Sequence, residues 1–175
     1  MHVGLLLLRL VVGAVMAAHG GQKLFGWFGG PGLQRTGGFM ESLGFRPGPP
    51  HAALLGCTEL GSGVLLAAGL LTPLGAAAVV GVMVAAVATV HWPNGFFAGD
   101  GGYEFNLVLG AAALLVAFTG PGDWSVDHVV GWSMRGWTWG LGALVLGVIS
   151  GLTIVVTRRR RRQVALTAVG GRRAA

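Results

Sequence analysis

The sequence predicts an all-α protein, a polytopic bundle of membrane-spanning helices. Of its 175 residues, 53% are hydrophobic and only 10% are charged, and the mean hydropathy is +0.70. Soluble domains carry about 25% charged residues, and a domain of this length could not bury so much apolar surface in its own core. The 33 glycines lack the three-residue period of collagen and suit close packing of membrane helices. This composition excludes a disordered polymer and disfavours a nucleic-acid-binding domain.

Five apolar segments approach the length of about 20 residues that a spanning helix needs. They cover residues 3–21, 50–71, 74–91, 103–119 and 136–157. The first segment has no basic leader region before it, so it predicts a retained helix rather than a cleaved signal peptide. Pro73 separates the second segment from the third, because proline ends one helix and suits the first turn of the next. Tryptophans precede the fifth segment and five arginines follow it, as at the two interfaces of a membrane.

The stretch between the first two segments is too long for a simple turn. On a helix, Leu33, Phe39, Met40 and Leu43 would share one face. This pattern predicts a short amphipathic helix, or a loop dipping into the membrane interface. An exposed glycine-rich loop is the alternative.

The positive charge is concentrated at the C-terminus, where seven of the twelve Lys and Arg residues follow residue 157. Residues 158–175 therefore predict a flexible, basic cytoplasmic tail, which is either an inside-facing topology signal or a contact for lipid phosphates. With five spans, the first loop shares the tail's side, and the protein is expected in the cell's inner (plasma) membrane. A nucleic-acid arm is the disfavoured alternative, and no nucleic-acid partner is expected. The single cysteine, Cys57, excludes an internal disulfide and a CxxC redox pair.

Ionisable and polar residues inside the apolar segments predict a functional pocket, because such residues are costly in a membrane. Since the chain alternates direction, most of them fall in the same half of the bilayer. Arg9 approaches from the other half, and its side chain is expected to reach Glu59. The predicted catalytic residues are Glu59 and His91, and the predicted ligand-binding residues are Arg9, His19, Lys23, Glu104 and Asn106.

Each of these residues also has a structural interpretation. His19 and His91 would bond interfacial carbonyl groups, Glu104 would complement a helix dipole, and Glu59 would only pair with Arg9. No HExxH or ExxH spacing is present, so no metal site is predicted.

Several blocks together resemble the DoxX family of small bacterial membrane proteins. They are LLRLVVGAVMAAHGGQKLFGWFGGPG from residue 7, GCTELGSGVLLAAGLLTPLGA from residue 56, and HWPNGFF with GGYEFNLVLGAAALLVAFTGPGDWSVDH. The resemblance implies a four-helix membrane domain over residues 1–130, to which this chain adds a fifth transmembrane helix over 131–157 and the tail. Four-span relatives are expected to keep both termini in the cytoplasm, which would place the polar cluster outside. The charge count for five spans places it inside, and both orientations stay open.

The resemblance also implies a link to oxidative or thiol stress, to partner redox and sulfur enzymes, and in related proteins to thiosulfate oxidation coupled to quinone reduction. One hypothesis is a membrane subunit, such as part of a quinone-linked oxidoreductase, that binds a quinone-like or small oxidant molecule. The other is a non-catalytic anchor for soluble redox or sulfur-transfer enzymes, with a small permease ranked last. The lipid bilayer is the expected environment, quinone is the cofactor considered, and a homo-oligomer is left open.

Overall fold

A computed structural model describes residues 2–158, which form seven α-helices and no β-strand. The helices are α1 (His2–Phe25), α2 (Gly32–Ser42), α3 (Gly48–Ala68), α4 (Thr72–Ala86), α5 (Glu104–Thr119), α6 (Val126–Val129) and α7 (Trp137–Val156). A π-helical turn, Val87–His91, and a 3₁₀ turn, Trp92–Asn94, continue α4. The predicted all-α membrane bundle is confirmed. Most of the predicted basic tail, from residue 159 onward, lies outside the described residues.

Each of the five predicted apolar segments forms a helix, but the five differ in length. Four helical stretches are long and apolar enough to cross a membrane: Val3–Phe25, Gly48–Ala68, Thr72–Asn94 and Trp137–Val156. The last of these confirms the predicted fifth segment as a helix of spanning length. Helix α5 has 16 residues, or about 24 Å at 1.5 Å per residue, and is shorter than the other four.

The helices pack as two pairs, which meet directly through α3 and α4 and are also joined by α5. Helix α1 packs mainly on α3, α4 packs mainly on α7, and α5 contacts members of both pairs. Helices α1, α4 and α7 finish at one end of the bundle, where α3 and α5 begin. Helix α2 lies at this end, which we call the α2 end, and α6 lies at the opposite end, which we call the α6 end.

Glycines allow the paired helices to approach closely, as the small-residue content predicted. A Cβ atom added at Gly13 of α1 would lie 2.6 Å from the carbonyl oxygen of Gly63 in α3. One added at Gly151 of α7 would lie 2.6 Å from the carbonyl oxygen of Gly81 in α4. Gly61 faces open space instead, so it takes no part in these contacts.

Helix α2 confirms the predicted short amphipathic helix, and the exposed-loop alternative is wrong. Its buried residues include Thr36 and Met40, and Met40 packs in a small apolar cluster with Phe45 and Ala52. Ile154 of α7 packs against the same cluster. Helix α2 therefore packs beside both the beginning of α3 and the end of α7.

Candidate functional site

A cavity of about 740 Å³ lies between α1, α3, α4, α5 and α7 and extends to α2. Ligand pockets usually measure about 300–1,000 Å³, are mostly apolar and contain a few polar groups. This cavity has that character, since most of its lining side chains are aliphatic or aromatic. Five of the seven predicted site residues line this cavity. They are His19, Lys23, Glu59, His91 and Asn106.

An ion pair between α1 and α3 forms the polar part of this cavity. Lys23 Nζ donates to Glu59 Oε2 at 2.6 Å. The Glu59 side chain is 6% exposed and the Lys23 side chain is 22% exposed. The close approach of α1 and α3 brings the two residues together, although 36 positions separate them in the sequence. Hydrogen bonds between oppositely charged groups are short and strong, so this pair fixes both side chains beside the cavity.

The sequence-based pairing of Glu59 with Arg9 is wrong. Arg9 is 1% exposed and lies at the α6 end, where it does not line the cavity. Its guanidinium donates to four backbone carbonyls: Leu66 at 3.2 Å, Ala67 at 3.1 Å, Trp124 at 2.9 Å and Pro121. Two of these carbonyls belong to the last turn of α3, where backbone acceptors lack intrahelical partners. Arg9 therefore caps α3 and ties it to the loop after α5.

The axial distance explains the error. Gly20 of α1 packs against Gly56 and Leu60, which lie on either side of Glu59 on α3, so Glu59 is about level with Gly20. Arg9 lies 11 residues before Gly20, or about 16 Å along the axis. An arginine side chain cannot cover that distance.

Asn106 and His19 bring polar atoms to the cavity without strong protein partners. Asn106 is 6% exposed, and its Nδ2 donates to the thioether sulfur of Met83, a weak acceptor, at 3.4 Å. Within residues 2–158, no hydrogen bond reaches Asn106 Oδ1 or the ring of His19. The imidazole of His19 instead lies near the ring of Phe105, with 6.2 Å between the centroids. These side chains keep hydrogen-bonding capacity for a ligand.

His91 and Glu104 hold the loop between α4 and α5. His91 Nδ1 lies 2.7 Å from the carbonyl oxygen of Gly101, although its side chain also lines the cavity. Glu104 Oε2 accepts a hydrogen bond from the backbone N–H of Ala98 at 2.9 Å, and Glu104 does not line the cavity. The structure thus separates Glu104 and Arg9 from the other five predicted site residues.

A buried carboxylate that the sequence analysis assigned no role lies at the α6 end. Asp127 is fully buried, and its oxygens accept from Leu71 N at 2.7 Å, Thr72 N at 3.0 Å and Thr72 Oγ1 at 2.7 Å. It thereby satisfies the first N–H groups of α4, which have no intrahelical partners. The GPGDWSVD sequence contained this residue, but nothing in it identified α4 as the helix that it caps.

The sequence analysis also missed most of the cavity lining. Small residues on one face of α4, spaced at helical intervals, leave room along that helix: Ala77, Ala78, Gly81 and Ala85. Hydroxyl groups from three helices border the same space, at Thr58, Thr89 and Ser150. Their signal in the sequence is the helical spacing of Ala and Gly in α4, which equally suits tight helix packing.

The described part of the chain, residues 2–158, contains no group of three or more His, Cys, Asp or Glu side chains that could hold a metal ion. The arrangement instead offers one cationic donor, one carboxylate and one amide beside an apolar space. Such a set can hold the polar part of an otherwise apolar molecule and exchange protons with it.

Comparison with known proteins gives one match. The family model for DoxX matches residues 4–92, about half of the chain. The match includes α1 to α4 and the π-helical turn, and with them Lys23, Glu59 and His91, while α5 and α7 lie beyond it. No curated protein and no solved structure matches the chain.

Proposed function

The chain belongs to the DoxX family, and from this premise and the cavity we propose that it is a redox-associated membrane subunit that binds a quinone-like molecule within the membrane. It is a multi-pass membrane protein, since four of its helical stretches have the length and hydropathy of membrane spans. Ionisable residues at membrane depth commonly mark substrate or proton pathways.

The observation that carries the proposal is the position of the Lys23–Glu59 ion pair at the side of an apolar cavity. A quinone is an apolar ring with two carbonyl acceptors, and its reduced form carries two hydroxyl donors. Lys23 uses one N–H donor on Glu59 and has further donors for a carbonyl oxygen. Glu59 Oε1 can accept a hydrogen bond from a hydroxyl group. One pair of side chains therefore suits both forms of such a ligand.

Asn106 extends this recognition. It lies on α5, and its amide supplies both a donor and an acceptor beside the same cavity. We call Lys23, Glu59, His19 and Asn106 the head site. Reduction of a quinone takes up two electrons and two protons. Residues of the head site would hold the ring and pass the protons, and a soluble redox enzyme at the membrane surface would supply the electrons.

The proposal is tested by titrating decylubiquinone into the purified protein in nanodiscs. We expect Glu59→Gln and Lys23→Met each to weaken binding roughly 10- to 100-fold, as the loss of a hydrogen bond to a charged group does. Glu104→Gln is the matched control, since Glu104 is a carboxylate at the same end that does not line the cavity. Wild-type affinity in both head-site variants would refute the proposal, and so would an equal loss in the control.

A further inference from the structure

The geometry points to a ligand that carries a long hydrocarbon chain. This chain lies along α4, and α7 encloses it on one side. This inference deepens the proposed function and rests on it for the position of the ring. We call the part of the cavity lined by Leu74, Ala77, Ala78 and Leu146 the chain groove. A small, polar oxidant would use the head site and leave the chain groove without a role.

The cavity is long and polar at one end. Its lining residues on α4 and the following turn run from Leu74 to His91, a separation of 17 positions or about 26 Å along the axis. The head site lies near Met83 of α4, which Asn106 contacts. The chain groove extends from there toward the α6 end as far as Leu74, nine residues or about 14 Å away, and is entirely apolar. A ligand that matches this distribution has a polar ring and a long apolar chain.

The cavity is narrow and elongated, because its volume of about 740 Å³ extends over about 26 Å along α4 and the following turn. A single hydrocarbon chain would fit. The small side chains of Ala77 and Ala78 leave this space open.

Helix α7 lines one side of the cavity with Leu146, Ser150 and Ile154. These residues are spaced four apart and so lie on one face of the helix. Leu54 and Leu74 on the neighbouring helices line the cavity and are also half exposed at the surface of the bundle. In a membrane such a surface faces acyl chains, so the ligand reaches the chain groove sideways from the bilayer. This assigns a role to a helix that lies beyond the DoxX match.

Two photoreactive benzoquinones test the inference on the full chain in nanodiscs. Both carry a saturated chain long enough to reach Leu74, and the diazirine is placed on the ring in one and on the last carbon in the other. Digestion and mass spectrometry then identify the labelled peptides. We expect the ring probe to label peptides of the head site and the chain-end probe to label the 74–78 and 146 regions.

Filling the chain groove should remove only the second label. Ala78→Phe and Leu146→Trp should reduce chain-end labelling roughly tenfold, because a large side chain in an occupied space forces the occupant out. Leu152→Trp is the matched control for Leu146→Trp, since the two leucines lie on α7 with exposures of 49% and 50% and only Leu146 lines the cavity. Ala111→Phe, on an exposed position of α5, is the control for Ala78→Phe.

The outcomes separate the two proposals. Ring labelling of the head site with the chain end labelling only lipid would refute the chain groove and leave the proposed function intact. Absence of specific ring labelling would refute the proposed function itself. A photoreactive phosphatidylcholine serves as the lipid control. If it labelled the chain groove as strongly as the chain-end quinone probe does, and if unmodified long-chain quinone did not reduce that labelling, the groove would be assigned to ordinary bilayer lipid and the inference would be overturned.

Discussion

The two ends of the bundle use their buried charged groups in opposite ways. At the α6 end, the hydrogen bonds of Arg9 and Asp127 go to backbone groups of the protein, apart from one that Asp127 accepts from Thr72 Oγ1. At the α2 end, Lys23 and Glu59 bond one another and lie beside a cavity that Asn106 also lines. Both ends contain buried ionisable residues, but within residues 2–158 only those at the α2 end line the cavity.

This difference separates structural from functional charge in a membrane bundle. Arg9 satisfies carbonyls at the end of α3, and Asp127 satisfies N–H groups at the beginning of α4. The two residues therefore fix the turn between α3 and α4 from both sides. Depth in the membrane alone does not distinguish these structural residues from the residues of a binding site. The number of donors and acceptors that the protein itself leaves unused does distinguish them.

The largest expected effect is on Arg9, whose replacement by Met should prevent stable folding. Arg9 serves four carbonyls. That of Leu66 would keep a hydrogen bond from the Gly69 N–H group, whereas the other three would lose this partner. Each buried backbone acceptor left without a partner costs about 1–3 kcal/mol. Their sum approaches the whole stability of a small domain. We expect little folded protein in detergent by size-exclusion chromatography.

Arg9→Lys is the matched variant, because it keeps the charge but replaces the planar five-donor guanidinium with a single ammonium group. We expect it to fold with a clearly lower melting temperature. If Arg9→Met folded as stably as the native protein, the structural role of Arg9 and the contrast between the two ends would both fail.

A smaller loss of stability is expected for Asp127→Asn. The asparagine carbonyl can replace only one of the two carboxylate oxygens that accept from Leu71 and Thr72. We expect a cost of about 1–3 kcal/mol, measured as a decrease in the melting temperature. Asp100→Asn, at an exposed position in the loop before α5, is the control and should leave the melting temperature unchanged. Equal effects of both substitutions would show that the buried cap has no special importance.

The sequence was sufficient to predict the helices and the grouping of polar residues at one end. Hydropathy and length define each span locally, and alternating chain direction then places Lys23, Glu59, His91 and Asn106 on the same side. The partner of Arg9 was beyond such reasoning. Its acceptors are backbone carbonyls, which every residue supplies, so no side chain in the sequence marks them.

The cavity was also unpredictable from sequence, because small side chains create it. Ala78 and Gly81 indicate close packing as readily as an open space, and only the placement of α7 decides between them. Gly81 contacts α7 and also borders the cavity that Ala78 lines, so one small residue serves both purposes. The arrangement of three helices around a space depends on contacts distant in sequence.

The smallest effect on stability is expected at the α2 end, for the double variant Lys23→Met with Glu59→Met. Replacing both partners of a buried ion pair by apolar side chains is often neutral or stabilising, since neither charge is left alone. We expect its free energy of unfolding to stay within about 1 kcal/mol of the native value while quinone binding is lost.

Glu59→Met alone should cost more than the double variant, because it leaves Lys23 without its partner in a largely apolar surrounding. Since Lys23 is 22% exposed and lies two residues before the end of α1, its side chain can turn toward the interface and limit that cost. A double variant as unstable as Arg9→Lys would mean that both ends of the bundle serve to hold the helices together, and the distinction between a structural end and a binding end would be lost.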